Sequence, residues 1–455
     1  MIQKKLALSA VALVTPLILQ AKDNQPEKPN FVLFLADDCS YYDIGVYGSK
    51  DAKTPNIDKF ASEGMLFTKG YQAAPMSSPT RHNLYTGLWP VKSGAYPNHT
   101  LAADDTKSIV HHLKPAGYRV ALIGKSHVAP KEVFPFEYVP LTRTNDINFE
   151  AVDKFINSCT ESNTPFCLFV TSNQSHTPWN KGDASQFDPA KLTLPPFYVD
   201  TDNLRKDFCR YLAEVSYMDA EFGQVLDKID KYKQRDNTVV VYLSEQGNSL
   251  PFAKWTCYDA GVHSAYVVRW PGKVKPGSVS DALVEYVDIT PTFVDIAGVK
   301  PLLEMDGKSI VPVLTGKKKE HKKYTFSLQT TRGIYDGSDY YGVRAVADKK
   351  YRYIVNLTPE AVFKNTEVRG KNFQEWLLLA ETDVKAKELT YKYQHRPAIE
   401  LYDVEKDPYC MVNLANDPTY RKVVSRLDKQ LEAWMKACGD KGQETEMDAL
   451  NHMQK

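Results

Sequence analysis

Ser77-Ser78-Pro79-Thr80-Arg81 sets a hydroxyl where a helix should begin and a guanidinium four residues on, followed by Leu84-Tyr85-Thr86-Gly87. Alone, this could be a plain helix entry, since serine caps helices and proline is tolerated in a first turn. The same spacing also puts a hydroxyl at the positive end of a helix with Arg81 nearby, a setting that suits a nucleophile meeting an anion. Four more polar clusters follow apolar runs: Asp37-Asp38, Gly124-Lys125-Ser126-His127, Ser172-Asn173-Gln174-Ser175-His176 and Ser244-Glu245-Gln246-Gly247. Any one of them could be only a loop. Together they favour a shared site, because open parallel sheets hold ligands outside the carboxyl ends of their strands.

The elements that must position these residues are legible in outline. Residues 30–36, 118–123, 166–171 and 238–243 are short, nearly continuous apolar runs, the pattern of parallel strands buried on both faces. Helical spacing marks residues 54–64, 78–86, 106–116 and 288–297. It marks 204–229 as well, through Tyr211, Val215, Met218, Phe222 and Leu226. The run 317–323 (KKKEHKK) predicts solvated surface and the start of a second region. Beyond it, 341–347, 351–357 and 400–402 predict strands of a smaller sheet. Residues 420–437 predict a closing helix, and the last residues are expected to fray.

The chain has 455 residues, 57 Lys plus Arg and 56 Asp plus Glu, a net charge of +1. This balance excludes a wholly basic nucleic-acid-coating surface, and 43% hydrophobic residues exclude a disordered chain. Residues 1–21 have a basic start, an apolar run and a small residue at Ala21, the pattern of a secretory signal peptide. Pro16 and Gln20 interrupt that run, which falls short of the roughly 20 apolar residues of a membrane anchor. The expected location is therefore periplasmic or secreted in a bacterium, with no integral membrane segment after cleavage. Seven scattered cysteines form no CxxC pair, so zinc ribbons and redox dithiols are unsupported; most should be small buried residues, although Cys159 and Cys167 could bridge.

Ser77-x-Pro79-x-Arg81 and the following Thr86-Gly87 resemble the nucleophile motif of the type I, formylglycine-dependent sulfatases of the alkaline-phosphatase-like superfamily. Asp37-Asp38, Thr54-Pro55-Asn56-Ile57-Asp58, Gly124-Lys125-Ser126-His127, Asp306-Gly307-Lys308-Ser309 and Leu401-Tyr402-Asp403 extend the resemblance over residues 29–435. It implies an α/β fold, with a large parallel or mixed sheet flanked by helices and a smaller C-terminal antiparallel sheet. The expected organisation is a signal peptide at 1–21, a catalytic domain at 22–323 and a C-terminal subdomain at 324–455.

The resemblance implies that residue 77 is oxidised to formylglycine by a sulfatase-maturing enzyme. One calcium ion would be held by Asp37, Asp38, Glu245, Gln246 and modified Ser77, all hard oxygen donors. Arg81 would hold the nucleophile, Lys125 would touch sulfate and nucleophile, and Lys254 would grip the sulfate from the far side. His127 would act as a base on residue 77, and His176 would protonate the leaving oxygen. Two positions depart from the family pattern. Glu245-Gln246 stands where most relatives have Asp followed by Asn or His, and Ser77 stands where Cys is commoner. A serine-type site and a serine replacing a native cysteine look alike in sequence, and an unconverted serine would bind without turning over.

The expected substrate is a sulfated polysaccharide or oligosaccharide, with a carrageenan-like marine galactan favoured. A heparan N-sulfatase-like or other glycosaminoglycan activity is an alternative, as are a phosphatase or phosphonate hydrolase and a non-turning-over glycan binder. Trp179, Trp255, His263 and Arg332 are candidate sugar contacts, with Tyr258, Tyr335 and Tyr340 beside them, because aromatic rings stack on sugars and Arg forks onto anionic groups.

Overall fold

The computed structural model describes residues 28–454; the expected leader lies outside them. Its large sheet is built from β1 (Asn30–Ala36), β2 (Met65–Tyr71), β3 (Arg119–Gly124), β4 (Glu137–Val139), β5 (Phe166–Thr171), β6 (Thr238–Ser244), β7 (His263–Arg269), β8 (Ser278–Ser280) and β9 (Val284–Glu285). The order is β4-β3-β5-β1-β6-β7-β2-β8, with β9 beside β2. β1 lies parallel to β5 and β6 over most of its length. β7 runs antiparallel to both β6 and β2, so the sheet is mixed.

Strand periodicity explains why β1 is apolar throughout. Phe31, Leu33 and Leu35 enter one core with Leu84, Tyr85 and Phe293, whereas Val32, Phe34 and Ala36 enter the other with Met218 and Phe222. The first core is roofed by α2 (Ser77–Thr86) and α3 (Ile109–Leu113). The second is covered by α1 (Pro55–Glu63), α4 (Phe149–Glu161) and α5 (Asp202–Lys231). α5 starts where Thr201 Oγ1 accepts from Leu204 N–H at 3.2 Å, which satisfies one of the helix's orphan donors.

A second, antiparallel sheet has the order β10 (Thr325–Gln329), β11 (Val343–Ala347), β12 (Tyr351–Asn356) and β13 (Ile399–Asp403). One face packs Leu328, Val346 and Leu401 against Leu427, Leu431 and Trp434 of the helix Arg421–Cys438. From the other face Val343, Ala345 and Ile354 join the α5-side core.

Two expectations need correction. The chain end is not frayed: Gln443–Asp448 is helical, Leu101 N–H donates to His452 O at 2.7 Å, and Gln454 N–H donates to His99 O at 2.8 Å. The cause is burial of Glu446, whose Oε1 accepts from the Thr331 and Arg332 N–H groups. The basic run is solvated only in part, since Lys322 Nζ turns inward to Glu285 (2.6 Å) and Asp288 (3.0 Å). The cysteines are small buried residues as expected: all seven are buried thiols, and Cys159 and Cys167 do not bridge. Among the described residues no helix is long and apolar enough to cross a membrane.

Candidate active site

The carboxyl ends of β1, β3, β5 and β6 meet the N-terminus of α2. All ten residues of α2 are buried, and the helix stops at Gly87, which takes the left-handed conformation at φ 69°. β3 ends at Gly124, where an added Cβ would lie 2.0 Å from Thr171 O, so only glycine lets β3 and β5 come this close ahead of Lys125. Asp38, His127, Gln246 and Trp255 all have positive φ without being glycine. Such strained positions persist only where the surroundings over-determine them, and they gather at functional sites.

At the floor, Ser77 Oγ donates to Asp37 Oδ1 at 3.1 Å and accepts from Gln246 Nε2 at 2.9 Å. Gln246 Nε2 also donates to Asp38 Oδ1 at 2.7 Å. Asp38 Oδ2 receives Lys254 Nζ and Ser249 Oγ, each at 2.6 Å, and His176 Nε2 lies 3.6 Å away. Lys125 pairs with Asp37. Behind them Glu245 forks Arg81, whose Nη1 also donates to Lys125 O at 2.7 Å.

The charges explain how three acids stay buried together. Burial pushes the Asp37 and Asp38 carboxyls up, but the surrounding cations outweigh it and hold both below the usual carboxylate range. For Asp37 the strongest pulls come from Lys125 and Arg81, for Asp38 from Lys254 and His176. Burial dominates at Glu245, which is pushed up to about 8 despite Arg81. Burial also lowers His127, helped by Lys125, whereas Lys254 is the main cause lowering His176. Without substrate both imidazoles are thus held below the usual histidine range, which suits His127 to accept a proton, while the negative charge of a sulfate ester beside His176 would favour its protonated, donating form.

Among the described residues, no three His, Cys, Asp or Glu side chains form a metal cluster. The donors that converge are the Asp37 and Asp38 carboxylates, the Ser77 hydroxyl and the Gln246 amide. Gln246 Oε1 is buried with no partner. Turning the amide over would bring that oxygen to Asp38 and Ser77, and the resulting all-oxygen set fits a hard cation such as calcium. Glu245 is turned onto Arg81 instead.

Above this floor opens a cavity of ≈ 1100 Å³, whose walls include Lys125, His127, His176, Lys254, Trp255 and Arg332. Arg332 Nη1 donates to Asp339 O at 3.1 Å. Tyr335 lines this cavity too, whereas Trp179, His263 and Tyr258 stand apart. Trp179 opens into an adjoining smaller cavity. His263 does not line either one: it begins β7, packs on Tyr41, and uses Nδ1 on Asp259 (2.8 Å) and Nε2 on Thr68 O (3.0 Å). Tyr258 is buried with its hydroxyl on Glu400 at 3.0 Å.

Two residues of the cavity wall went unnoticed in the sequence. His99, at φ 51°, has Nδ1 2.9 Å from His127 Nε2. Glu367, from the short helix Thr366–Arg369, has a carboxyl that burial pushes up to about 8. No spacing signal marks either one, because both lie on segments far from the nucleophile motif.

The family model "Sulfatase" matches residues 29–299, more than half of the chain. The chain belongs to the sulfatase family. It is a sulfuric ester hydrolase by membership, and its two sheets are those of the alkaline-phosphatase-like fold. A model of the C-terminal part of N-sulphoglucosamine sulphohydrolase matches residues 247–366. This sulfatase is 34% identical over 423 residues to an ulvan-active sulfatase of Formosa agariphila, covering 91% of this chain and 81% of that one. It is 27% identical to N-sulphoglucosamine sulphohydrolase of Homo sapiens, with 89% of each chain covered. A protein solved with its substrate D-glucosamine-2-N,6-O-disulfate shares the fold at TM-score 0.69 and 19% identity, with 92% of this chain and 99% of that one covered.

Proposed function

We propose that this sulfatase, exported from a bacterial cell, removes sulfate from a sulfated marine polysaccharide or its oligosaccharides, with residue 77 matured to formylglycine and one calcium ion at Asp37, Asp38, Gln246 and residue 77. The observation that carries the reading is the convergence of Ser77, two carboxylates and an amide on the floor of a cavity walled by Lys125, Lys254, His127 and His176. A hydrated formylglycine at residue 77 would supply one hydroxyl as nucleophile and a second to release the sulfate, and calcium held by Asp37, Asp38 and Gln246 would supply positive charge to the sulfate oxygens. Arg81 holds Glu245 behind the nucleophile and keeps the helix end positive. Lys125 and Lys254 offset sulfate charge from two sides. His176 protonates the leaving sugar oxygen, and His127 takes a proton from residue 77.

The ulvan-active relative supports ulvan as substrate, where the sequence alone was read toward a carrageenan-like galactan; both are marine sulfated polysaccharides. The all-oxygen donor set favours sulfate chemistry over a two-zinc phosphatase, which would call on further His ligands. Mass spectrometry of the Ser77 peptide tests the nucleophile, since conversion removes two hydrogens. Sulfate release from ulvan, carrageenan and heparan with calcium present tests the reaction. A converted residue 77 with no release from any of the three would overturn the reading.

A further inference from the structure

The large cavity has a neighbour. Beyond Thr177, Ser249 and Glu367, which border both, lies a second cavity of ≈ 310 Å³. That volume is at the lower end of the range for small-ligand pockets, about 300–1,000 Å³. Its walls come from the segment after His176, from Leu250 and Pro251, and from the N-terminus of the helix Lys371–Leu379.

The lining has the chemistry of a sugar site. The Trp179 ring is packed toward Tyr211 at 5.6 Å, and its Nε1 donates to Ser175 O at 2.9 Å, so the indole is already held in place. A fixed aromatic face is a platform on which a sugar can stack at little entropic cost. Arg210 and Lys371 also line the cavity, and Arg210 is anchored by Asp207 at 2.7 Å. Asn372 donates to the same Asp207 at 3.0 Å, while its own Oδ1 is buried without a partner. Asp207 and Glu367 balance the two cations by count, but Asp207 is engaged by Arg210 and Lys371 has no ion-pair partner among the described residues, so the Lys371 side of the wall is open to an anionic group.

Direction along the substrate follows from His176. If His176 protonates the leaving oxygen, the sugar carrying that oxygen lies on the His176 side of the sulfate. The next groups on that side are Thr177, the Glu367 boundary and then Trp179. We propose that the second cavity is a subsite for the sugar next to the one bearing the scissile sulfate, and that this neighbour is acidic, stacking on Trp179 with its carboxylate or sulfate facing Arg210 and Lys371. This rests on the function proposed above and deepens it: the substrate is a chain of at least two sugars.

The test uses matured enzyme and size-fractionated mono-, di- and tetrasaccharides from ulvan and from carrageenan. Wild type should show kcat/KM about tenfold higher for the disaccharide than for the monosaccharide. Trp179→Ala, and separately the double variant R210A/K371A, should cut that advantage to about threefold or less, and Trp179→Phe should retain it. Because Trp179 is packed and its truncation could unfold the loop, the surface double variant carries the test independently, with thermal melting as the check on folding. Equal efficiency on all lengths in wild type, or an equal fall on every length in both alanine variants, would overturn the subsite and leave the sulfatase reading standing. No sulfate release at any length from an enzyme with converted residue 77 would overturn the reading of function itself, and the subsite with it.

Discussion

Arg81 and Glu245 face each other with both side chains fully buried, Nη2 donating to Oε2 at 2.5 Å and Nε to Oε1 at 3.3 Å. Removing Glu245 strips the buried Arg81 guanidinium of its forked acceptor, so Glu245→Met should cost about 3–5 kcal/mol, and Arg81→Met less, because Glu245 is then left as a buried neutral acid. Removing both should cost less than the sum. Denaturant unfolding of the four-protein cycle checks this, and strictly additive losses would mean that the fork contributes nothing as a pair.

Gln246 Oε1, on the floor of the site, is a buried acceptor left without a partner. Calcium should therefore raise the melting temperature and a chelator should reverse the rise. At about 100-fold over its Kd the ion adds about 2.7 kcal/mol. Gln246→Leu should lose most of this shift, as followed by calorimetry. A variant that keeps the full calcium response would exclude the amide as a ligand.

His99 reaches His127 and nothing in the nucleophile motif. His99→Ala should lower kcat by about tenfold or more with KM little changed, because a loosened imidazole transfers protons less well. His99→Gln, which can still hydrogen-bond, should recover part of the loss. Steady-state sulfate release separates this from a substrate contact, for which KM would rise instead.

His82 is buried between Ser78 O (2.8 Å) and Ala129 O (3.0 Å), and burial lowers its pKa from 6.5 to about 4. The folded protein thus holds it neutral while the unfolded chain protonates first. Its contribution is fully present above pH 6.5 and is lost as pH falls through about 4, some 3 kcal/mol in all. Asp43, pushed up to about 7 by burial, acts oppositely, holding its proton in the fold and losing stability as pH rises toward 7. The comparison is therefore of wild type with His82→Gln: lacking the His82 loss, the variant's unfolding free energy should rise relative to wild type by about 3 kcal/mol as pH falls from 6.5 to 4.

The strands that carry the site were legible because β1, β3, β5 and β6 are buried on both faces and end abruptly in polar residues. β2 (MLFTKGY) and β7 (HSAYVVR) were not, since neither is a clean apolar run nor a clean alternation. With β7 unrecognised, His263 stood as a candidate sugar contact, whereas it opens that strand and stacks on Tyr41. The floor was legible through motif spacing. Glu367 and His99 were not, because a cavity wall is assembled from segments whose only relation is three-dimensional.

Met453 pairs with Thr100, Gln454 holds the His99 carbonyl, and Leu450 lines the cavity opened by Ser77. These closing residues leave the ribosome long after the serine does. During synthesis the Ser77 segment is thus bare on that side, and the wall is hung last. Any modification of the serine made during synthesis would therefore precede the closing of the pocket, an order set by the sequence of the chain itself.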